Sequence, residues 1–353
     1  MKIDEENENK IRIPPVGLIN YSRINQRYKN NFYSKDLDLP YLYNVCYMNA
    51  SIQCLFRLNE FVRRILKFDG GNLTRATQNL IKNIQKSTGK KELYSVFEIK
   101  KAMAEKDEIY ENNKEEDVNE FISNYLSYLI EETKNTGDLK EKWRYSSSDQ
   151  LSFTKFYEKF QKKRGNSFVL DLFYGLLRTE NYCKKCRYTF SIKFNAFNIF
   201  EIPIKEDKMN CNPLKMQDLL KEFISEKYNF NEICSVCKRN IYYKTSINSL
   251  PQCLIIYFTR DYSDNKPNNI IIPKSFNFSR FMNEKLLKED DNYFYNLKGI
   301  IYYQYFKGNI SHYRSACLVD DSKWYYFDDN SFETDKTLRI YTHDNPVFLF
   351  YEK

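Results

Sequence analysis

Hydrophobic and polar positions divide the chain into two textures. After Leu42 a short loop gives way to helical periodicity up to Leu66, where Met48, Ile52, Leu55 and Phe56 recur at i, i+4, i+7 and i+8 and share one face. A second helix is predicted near Asp117–Glu132, with Val118, Phe121, Ile122, Tyr125, Leu126 and Leu129 on its buried side. Charged helical segments fill most of the chain between these two and on to about Arg164. From Phe168 the pattern shortens into β-rich runs at Phe168–Thr179, Tyr188–Phe200, Tyr242–Asn248, Cys253–Thr259, Tyr295–Tyr303, His312–Val319, Lys323–Asp328 and Val347–Tyr351. One helical insert, Pro213–Glu226, interrupts them. Helices first and strands afterwards predict an α+β protein in which a helical lobe faces a β-rich lobe. The polar, acidic stretch Met1–Lys10 is expected to be disordered.

Composition narrows the picture. With 353 residues the chain can bury one large core or two smaller ones, and 42% hydrophobic and 17% aromatic residues exclude a mostly disordered protein. The 30 Tyr and 27 Phe beside only 9 Gly reflect in part the coding bias of the source. The net charge of +8 is the small excess of 55 basic over 47 acidic residues, and clusters such as Gln161–Arg164 are short, so nucleic acid is not expected as the primary partner. The charged N-terminus has no apolar core, and the longest apolar run, Leu254–Phe258, is of strand length. Neither a secretory signal nor a membrane span is expected, and no membrane partner. An odd number of cysteines, nine, with four of them in C-x-x-C pairs, then reads as metal or catalysis in an intracellular protein of the cytoplasm or nucleus.

The first candidate for chemistry is Cys46, which stands just before the amphipathic helix. A helix N-terminus carries partial positive charge and free N–H donors, and both stabilise a thiolate. The same N–H groups can hold the oxyanion of a tetrahedral intermediate. Cys54, on the same helix, is a half-buried thiol by spacing and has no such position. Taken alone, Cys46 could equally be a buried structural thiol.

Only two histidines are available as a base, His312 and His343. His343 reads as a loop residue in Thr342-His-Asp-Asn, whereas His312 opens an alternating strand. A tight polar turn at Asp320–Ser322 leads into Lys323-Trp-Tyr-Tyr-Phe-Asp328-Asp329-Asn330, a strand ending in two carboxylates. Such a hairpin would return Asp328 and Asp329 to the side of His312, as a thiolate–imidazole–carboxylate relay needs.

Cys183-Lys-Lys-Cys186 and Cys234-Ser-Val-Cys237 sit in polar turns between strand-like runs, with 47 residues separating the pairs. Four thiolates are the set a structural Zn²⁺ prefers, and a closed all-cysteine site would be structural rather than catalytic. The pairs must then meet at the tips of distant hairpins.

These pieces, in this order, resemble the ubiquitin-specific protease family of deubiquitinases, over about Gly17 to Lys353. Cys46-Tyr-Met-Asn-Ala-Ser-Ile-Gln-Cys-Leu is similar to the family's Cys box, and Glu115-Glu-Asp-Val-Asn-Glu-Phe121 to its Q-Q-D-A-x-E-F box. Leu250-Pro-Gln-Cys-Leu is similar to its L-P-x-x-L strand, Tyr295 through Tyr313 to its His box, and Trp324–Asp329 to its closing aspartate motif. The resemblance implies a papain-like fold with a catalytic domain at 13–353, after a segment 1–12 whose polar composition predicts disorder. Within that domain it implies a helical thumb at about 40–165, β fingers carrying a zinc-ribbon-like site of four cysteines at about 175–250, and a β-rich palm at about 166–174 and 251–353. It implies a thiol hydrolase acting at the C-terminal glycine of ubiquitin, with Cys46 as nucleophile, His312 as base and Asp328 as orienting residue; Asp329 could share that role. Asp117 and Tyr313 would contact substrate, although Asp117 reads equally well as a helix N-cap. Ubiquitin, ubiquitinated proteins and an activating complex are the partners implied.

The departures lie near the chemistry. The family's box is G-L-x-N-L-G-N-T-C, whereas Tyr41, Tyr43 and Val45 replace its asparagine, glycine and threonine here. Val16-Gly-Leu-Ile-Asn20 is similar to the start of that box, as if an insert of roughly Tyr21 to Leu39 had split it and left Asn20 to supply the oxyanion donor. Without Asn20, the hole would rest on the Cys46 N–H and Asn44. Ser311 stands where the family has glycine. The altered oxyanion region leaves two further readings: a catalytically weak ubiquitin-binding scaffold, and a protease for a ubiquitin-like modifier.

Overall fold

The computed structural model describes residues 11–20, 42–88, 92–135, 142–204, 213–259, 270–306, 310–320, 323–335 and 345–353. The expected disorder of Met1–Lys10, the insert Tyr21–Leu39, Tyr41 and His343 lie outside the described residues. The helices are α1 (Cys46–Leu55), α2 (Asn59–Ile65), α3 (Asn72–Gln85), α4 (Phe97–Ala104), α5 (Val118–Glu132), α6 (Gln150–Arg164), α7 (Phe168–Phe173) and α8 (Met216–Ile224). The strands used here are β1 (Gly17–Leu18), β2 (Leu93–Tyr94), β3 (Gly175–Cys183), β4 (Tyr188–Phe197), β5 (Ile199–Pro203), β6 (Lys227–Ile233), β7 (Asn240–Ser249), β8 (Cys253–Thr259), β9 (Phe294–Phe306), β10 (Ile310–Leu318), β11 (Trp324–Asp328), β12 (Ser331–Asp335) and β13 (Asn345–Glu352). No described helix is long and apolar enough to cross a membrane.

Local chemistry accounts for the elements that matter most. Asp117 starts α5 as its N-cap, accepting from the N–H groups of Asn119 (2.8 Å) and Glu120 (3.1 Å). The helix then buries Val118, Phe121, Ile122, Tyr125, Leu126, Leu129 and Ile130, each fully buried Leu or Phe contributing roughly 1.5–3 kcal/mol. The run expected as a strand from Phe168 is instead α7, followed by β3 from Gly175. Ser167 accepts from the N–H groups of Val169 (3.1 Å) and Leu170 (3.2 Å), and that cap turns a continuous apolar run into a helix. Periodicity cannot separate the two states in so short a run.

Two sheets carry the second half. Strands β4-β3-β7-β6 form a four-stranded antiparallel sheet with a C-x-x-C turn between β3 and β4 and another between β6 and β7. The larger, eight-stranded sheet runs β12-β11-β10-β9-β13-β8-β5, with Ser275–Asn277 pairing onto β9. Its central strands are buried on both faces. In β8, Cys253 and Ile255 join the core shared with the helices, while Leu254, Ile256 and Phe258 join a second core under α8. Phe348 and Phe350 of β13 face the first core, and Leu349 and Tyr351 the second.

Helix α1 lies across β9 and β10. The pattern predicted one buried face, but all ten residues from Cys46 to Leu55 are buried, so Cys54 is fully enclosed rather than half-buried. Gly299 of β9 makes the close approach feasible, because a Cβ there would lie 2.8 Å from Cys54 Sγ. Gly299→Val is therefore expected to push α1 off the sheet and destabilise the fold by about 1–3 kcal/mol, read as a lower urea midpoint at unchanged slope.

Candidate active site and metal centre

Polar residues of α1 recur at i, i+4 and i+8 and tie the helix to the N-terminal segment. Asn49 Nδ2 donates to the carbonyls of Leu18 and Ile19 (3.3 Å each), Gln53 Nε2 to that of Val16 (2.7 Å), and Arg57, just beyond the helix, to that of Ile13. The other side of the segment pairs β1 with β2. These bonds deliver Asn20, itself buried, to the hairpin turn that follows β11.

That turn carries both carboxylates. The β11/β12 register pairs Asp328 with Ser331, leaving Asp329 and Asn330 at the corner. Asp329 adopts φ 48°, a left-handed conformation that Asp tolerates better than most residues. Its backbone carbonyl accepts from Leu18 N (2.8 Å), and Gly17 is needed here because a Cβ would lie 2.6 Å from the Asn330 carbonyl oxygen. Asn20 N donates to Asn330 Oδ1 (2.9 Å), and Asn330 Nδ2 returns a bond to the Asn20 carbonyl (3.1 Å).

Asp328 points at the histidine. The β10/β11 register pairs Ser315 with Phe327, so His312 and Arg314 share a face with Asp328. His312 Nε2 lies 2.7 Å from Asp328 Oδ1, and Arg314 Nε lies 2.9 Å from Oδ2. With Nε2 held by a carboxylate, Nδ1 is the ring nitrogen left to exchange a proton. Asp329 faces the other way: its Oδ2 accepts from Asn20 Nδ2 and its Oδ1 from Asn49 Nδ2, both at 2.9 Å. Burial pushes the Asp329 carboxyl above its ordinary range, against the opposing pull of His312 and the two amides.

Cys46 is buried at the first position of α1, which packs against the strand of His312. Asn44 before it has φ 54°, and its side chain donates to the carbonyl of Asn113 (2.9 Å). Lys100, 1% exposed, donates to Asn112 O (2.8 Å) and Asn113 Oδ1 (3.3 Å), with its pKa pushed down to about 8 by burial. Ser311 Oγ donates to Glu115 Oε2 (2.7 Å), bridging the histidine strand to the segment that leads into α5. Asp117 spends Oδ1 on the helix cap, and Tyr313 is buried with its ring 5.2 Å from that of Tyr303. Asn49, Lys100 and Arg314 were missed by the sequence reading. For Asn49 the signal was present, as the first of three polar residues at helical spacing on a buried helix.

The two C-x-x-C turns meet. All four sulfurs lie within 4.8 Å of one another, Cys183 Sγ and Cys237 Sγ being 3.6 Å apart and Cys186 Sγ and Cys234 Sγ 3.8 Å. Tetrahedral coordination at a metal–sulfur distance of ~2.3 Å requires edges of ~3.8 Å, so the four residues fit a metal ion. In each turn the N–H of the second cysteine donates to the sulfur of the first (3.5 Å), and the Cys237 N–H holds the Cys234 thiol down to about 7. Arg187 and Lys238 take positive φ to close the turns, and Cys183 and Cys234 are buried rather than surface thiols.

Helices packed on a large sheet, with a cysteine at a helix start and the histidine and aspartate on adjoining strands of one hairpin, define an α+β fold that carries the residue types of a thiol–imidazole–carboxylate site. Residues 39–351 match the family of ubiquitin carboxyl-terminal hydrolases, and the chain belongs to that family. It is 26% identical to ubiquitin carboxyl-terminal hydrolase 5 of Saccharomyces cerevisiae, over 97% of this chain and 48% of that protein. It is also 26% identical to ubiquitin carboxyl-terminal hydrolase Usp2 of Drosophila melanogaster, over 88% of this chain and 34% of that one. To ubiquitin carboxyl-terminal hydrolase 29 of Homo sapiens it is 29% identical, over 69% of this chain and 28% of the relative. The chain thus spans about half or less of the length of these relatives. Among solved structures it is similar to the yeast SAGA DUB module with a mutant Sgf73, at TM-score 0.67 and 17% identity, covering 97% of this chain and 69% of that one. The SAGA Ubp8/Sgf11/Sus1/Sgf73 DUB module bound to ubiquitin aldehyde is similar at TM-score 0.65 and 16% identity, covering 97% and 70%. Both likenesses concern the fold.

The raised pKa of Asp329 has a definite consequence for stability. Between the ordinary carboxylate pKa and the raised folded value, the native state keeps a proton that the unfolded chain has lost, so the contribution of this group falls as pH rises. Urea midpoints of the wild type between about pH 4 and pH 7 are expected to carry this downward component, and Asp329→Asn to lack it. Parallel profiles would contradict the assignment.

Proposed function

We propose that this chain is a deubiquitinase, a cysteine hydrolase of the peptide or isopeptide bond at the C-terminal glycine of ubiquitin. The observation that carries the reading is the 2.7 Å contact between His312 Nε2 and Asp328, on the strand against which the Cys46 helix packs. In the neutral tautomer that donates to Asp328, His312 Nδ1 takes the thiol proton. Cys46 then attacks the glycine carbonyl, and the thiolate at the helix N-terminus gains from the helix dipole. The tetrahedral oxyanion is held by the Cys46 N–H and by the Asn20 amide, which Asp329 orients through Oδ2. Collapse gives a thioester as His312 returns its proton to the leaving amine, and water hydrolyses the thioester with His312 again as base. Asp117 and Tyr313 are assigned to the substrate tail by the family resemblance.

The purified chain is expected to form a covalent adduct with ubiquitin bearing a C-terminal electrophilic warhead, seen as a mass shift by intact-protein mass spectrometry. Cys46→Ala should abolish it. Ubiquitin binding without adduct would favour a scaffold, and an adduct only with a ubiquitin-like modifier would reassign the substrate.

We also propose that the four-cysteine cluster holds Zn²⁺ in a structural role. Cys183, Cys186, Cys234 and Cys237 would supply four thiolates and leave no open position for chemistry. Expected is about one zinc per chain by elemental analysis, lost in Cys183→Ser/Cys234→Ser together with protease resistance of the four-stranded sheet. Full retention of zinc in that variant would rule the cluster out.

A further inference from the structure

The two C-x-x-C turns bring together more than sulfur. They and the residues just after them hold Lys184, Lys185, Arg187, Lys238 and Arg239, all exposed. Lys184 is engaged, paired with Glu226 and lying 4.3 Å over the Tyr242 ring. Lys185, Arg187, Lys238 and Arg239 make no ion pair among the described residues. Along the chain these are two short basic clusters far apart in sequence, and only the convergence of the sulfurs unites them.

The same end of the sheet exposes apolar side chains. Of the eight large hydrophobic residues exposed among those described, five lie here: Phe230 at 81%, Val236 at 73%, Ile233 at 62%, Tyr188 at 58% and Tyr228 at 43%. β6 is an edge strand. Its register jumps from Asn229 opposite Ile241 to Ile233 opposite Asn240, so Phe230 to Glu232 bulge out of the ladder and Phe230 is carried outward. Exposed apolar side chains gathered at one end of a sheet, three of them on an edge strand, mark an interaction surface.

Charge and side-chain type select the occupant. Four cations that make no ion pair among the described residues, on the turns next to these apolar side chains, call for a partner that combines negative charge with apolar groups. Single-stranded nucleic acid could stack on Tyr188, Tyr228 and Phe230, but the two branched aliphatic side chains Ile233 and Val236 suit apolar protein side chains better than bases. We propose that this sheet end, remote in sequence from Cys46 and His312, docks an acidic protein segment with apolar anchor residues. Phe230, Ile233 and Val236 take the anchors, and Lys185, Arg187, Lys238 and Arg239 face its carboxylates.

The test uses the full chain with its metal. The probe is a fluorescently labelled peptide of about fifteen residues alternating Glu with Leu and Phe, and its competitors are a lysine-for-glutamate version, single-stranded DNA and phosphatidylserine vesicles. Two variants are compared, Phe230→Ser/Val236→Ser and Lys185→Glu/Arg187→Glu/Lys238→Glu/Arg239→Glu. Fluorescence anisotropy should show saturable binding of the acidic peptide, weakened at least about tenfold in each variant, with salt dependence reduced in the charge variant. Turnover of a ubiquitin substrate should stay within about twofold of the wild type, since neither variant touches the candidate active site. No binding of the acidic peptide, equal binding by the variants, or tighter binding of DNA or vesicles would overturn the proposal. A selective rise in KM for the ubiquitin substrate would overturn it in favour of ubiquitin as the occupant. Failure of the Cys46 adduct would leave this measurement unaffected.

Discussion

Helix α1 must sit in the middle of the protein, and the rest of the site is arranged to permit it. Ten consecutive residues are buried, including Asn49, Ser51 and Gln53, and each buried polar group without a partner would cost roughly 1–3 kcal/mol. Ser51 turns inward to the Tyr47 carbonyl (2.7 Å), while Asn49, Gln53 and Arg57 satisfy the backbone of the segment from Ile13 to Ile19. The helix therefore cannot be built without that segment, and the segment delivers Asn20. Gly299 supplies the matching clearance on the sheet side. One packing requirement thus sets both the depth of Cys46 and the place of Asn20.

The hairpin turn after β11 is the second organising element. Adjacent carboxylates on a strand point to opposite faces, and the left-handed conformation at Asp329 turns the second one toward the helix. Asp328 engages His312 and Arg314, while Asp329 engages Asn20 and Asn49. Two neighbouring acids consequently have different tasks without competing for one partner. Burial of Asp329 makes its anionic form expensive, and the two amide donors offset part of that cost.

The four-stranded sheet uses its cysteines differently. Its own core is small, consisting of Cys183, Cys234 and Ile241 with Phe190 packed beside them. A sheet end with so little apolar interior needs a cross-link, and four converging sulfurs provide the means. The rings and aliphatic side chains that would otherwise have filled a core face outward, beside cations that the tight turns bring together.

The sequence by itself determined the helix-then-strand order and most strand runs of the large sheet. It offered a helix cap as one of two readings of Asp117, and Cys46, His312, Asp328 and the C-x-x-C pairs as candidates. Those features are written in local periodicity and spacing, which survive without knowledge of neighbours. Tertiary structure alone decided that α1 is buried on every side, because a half-apolar helix looks the same in sequence whether one face or all faces are covered. It decided that Phe168–Phe173 is helical, since a short apolar run fits either state until the Ser167 side chain is placed to cap its first N–H groups. It placed Asn20, 309 positions from Asp329, within 2.9 Å of it. And it joined two short basic clusters into one surface, because charge density depends on distance in space and not along the chain.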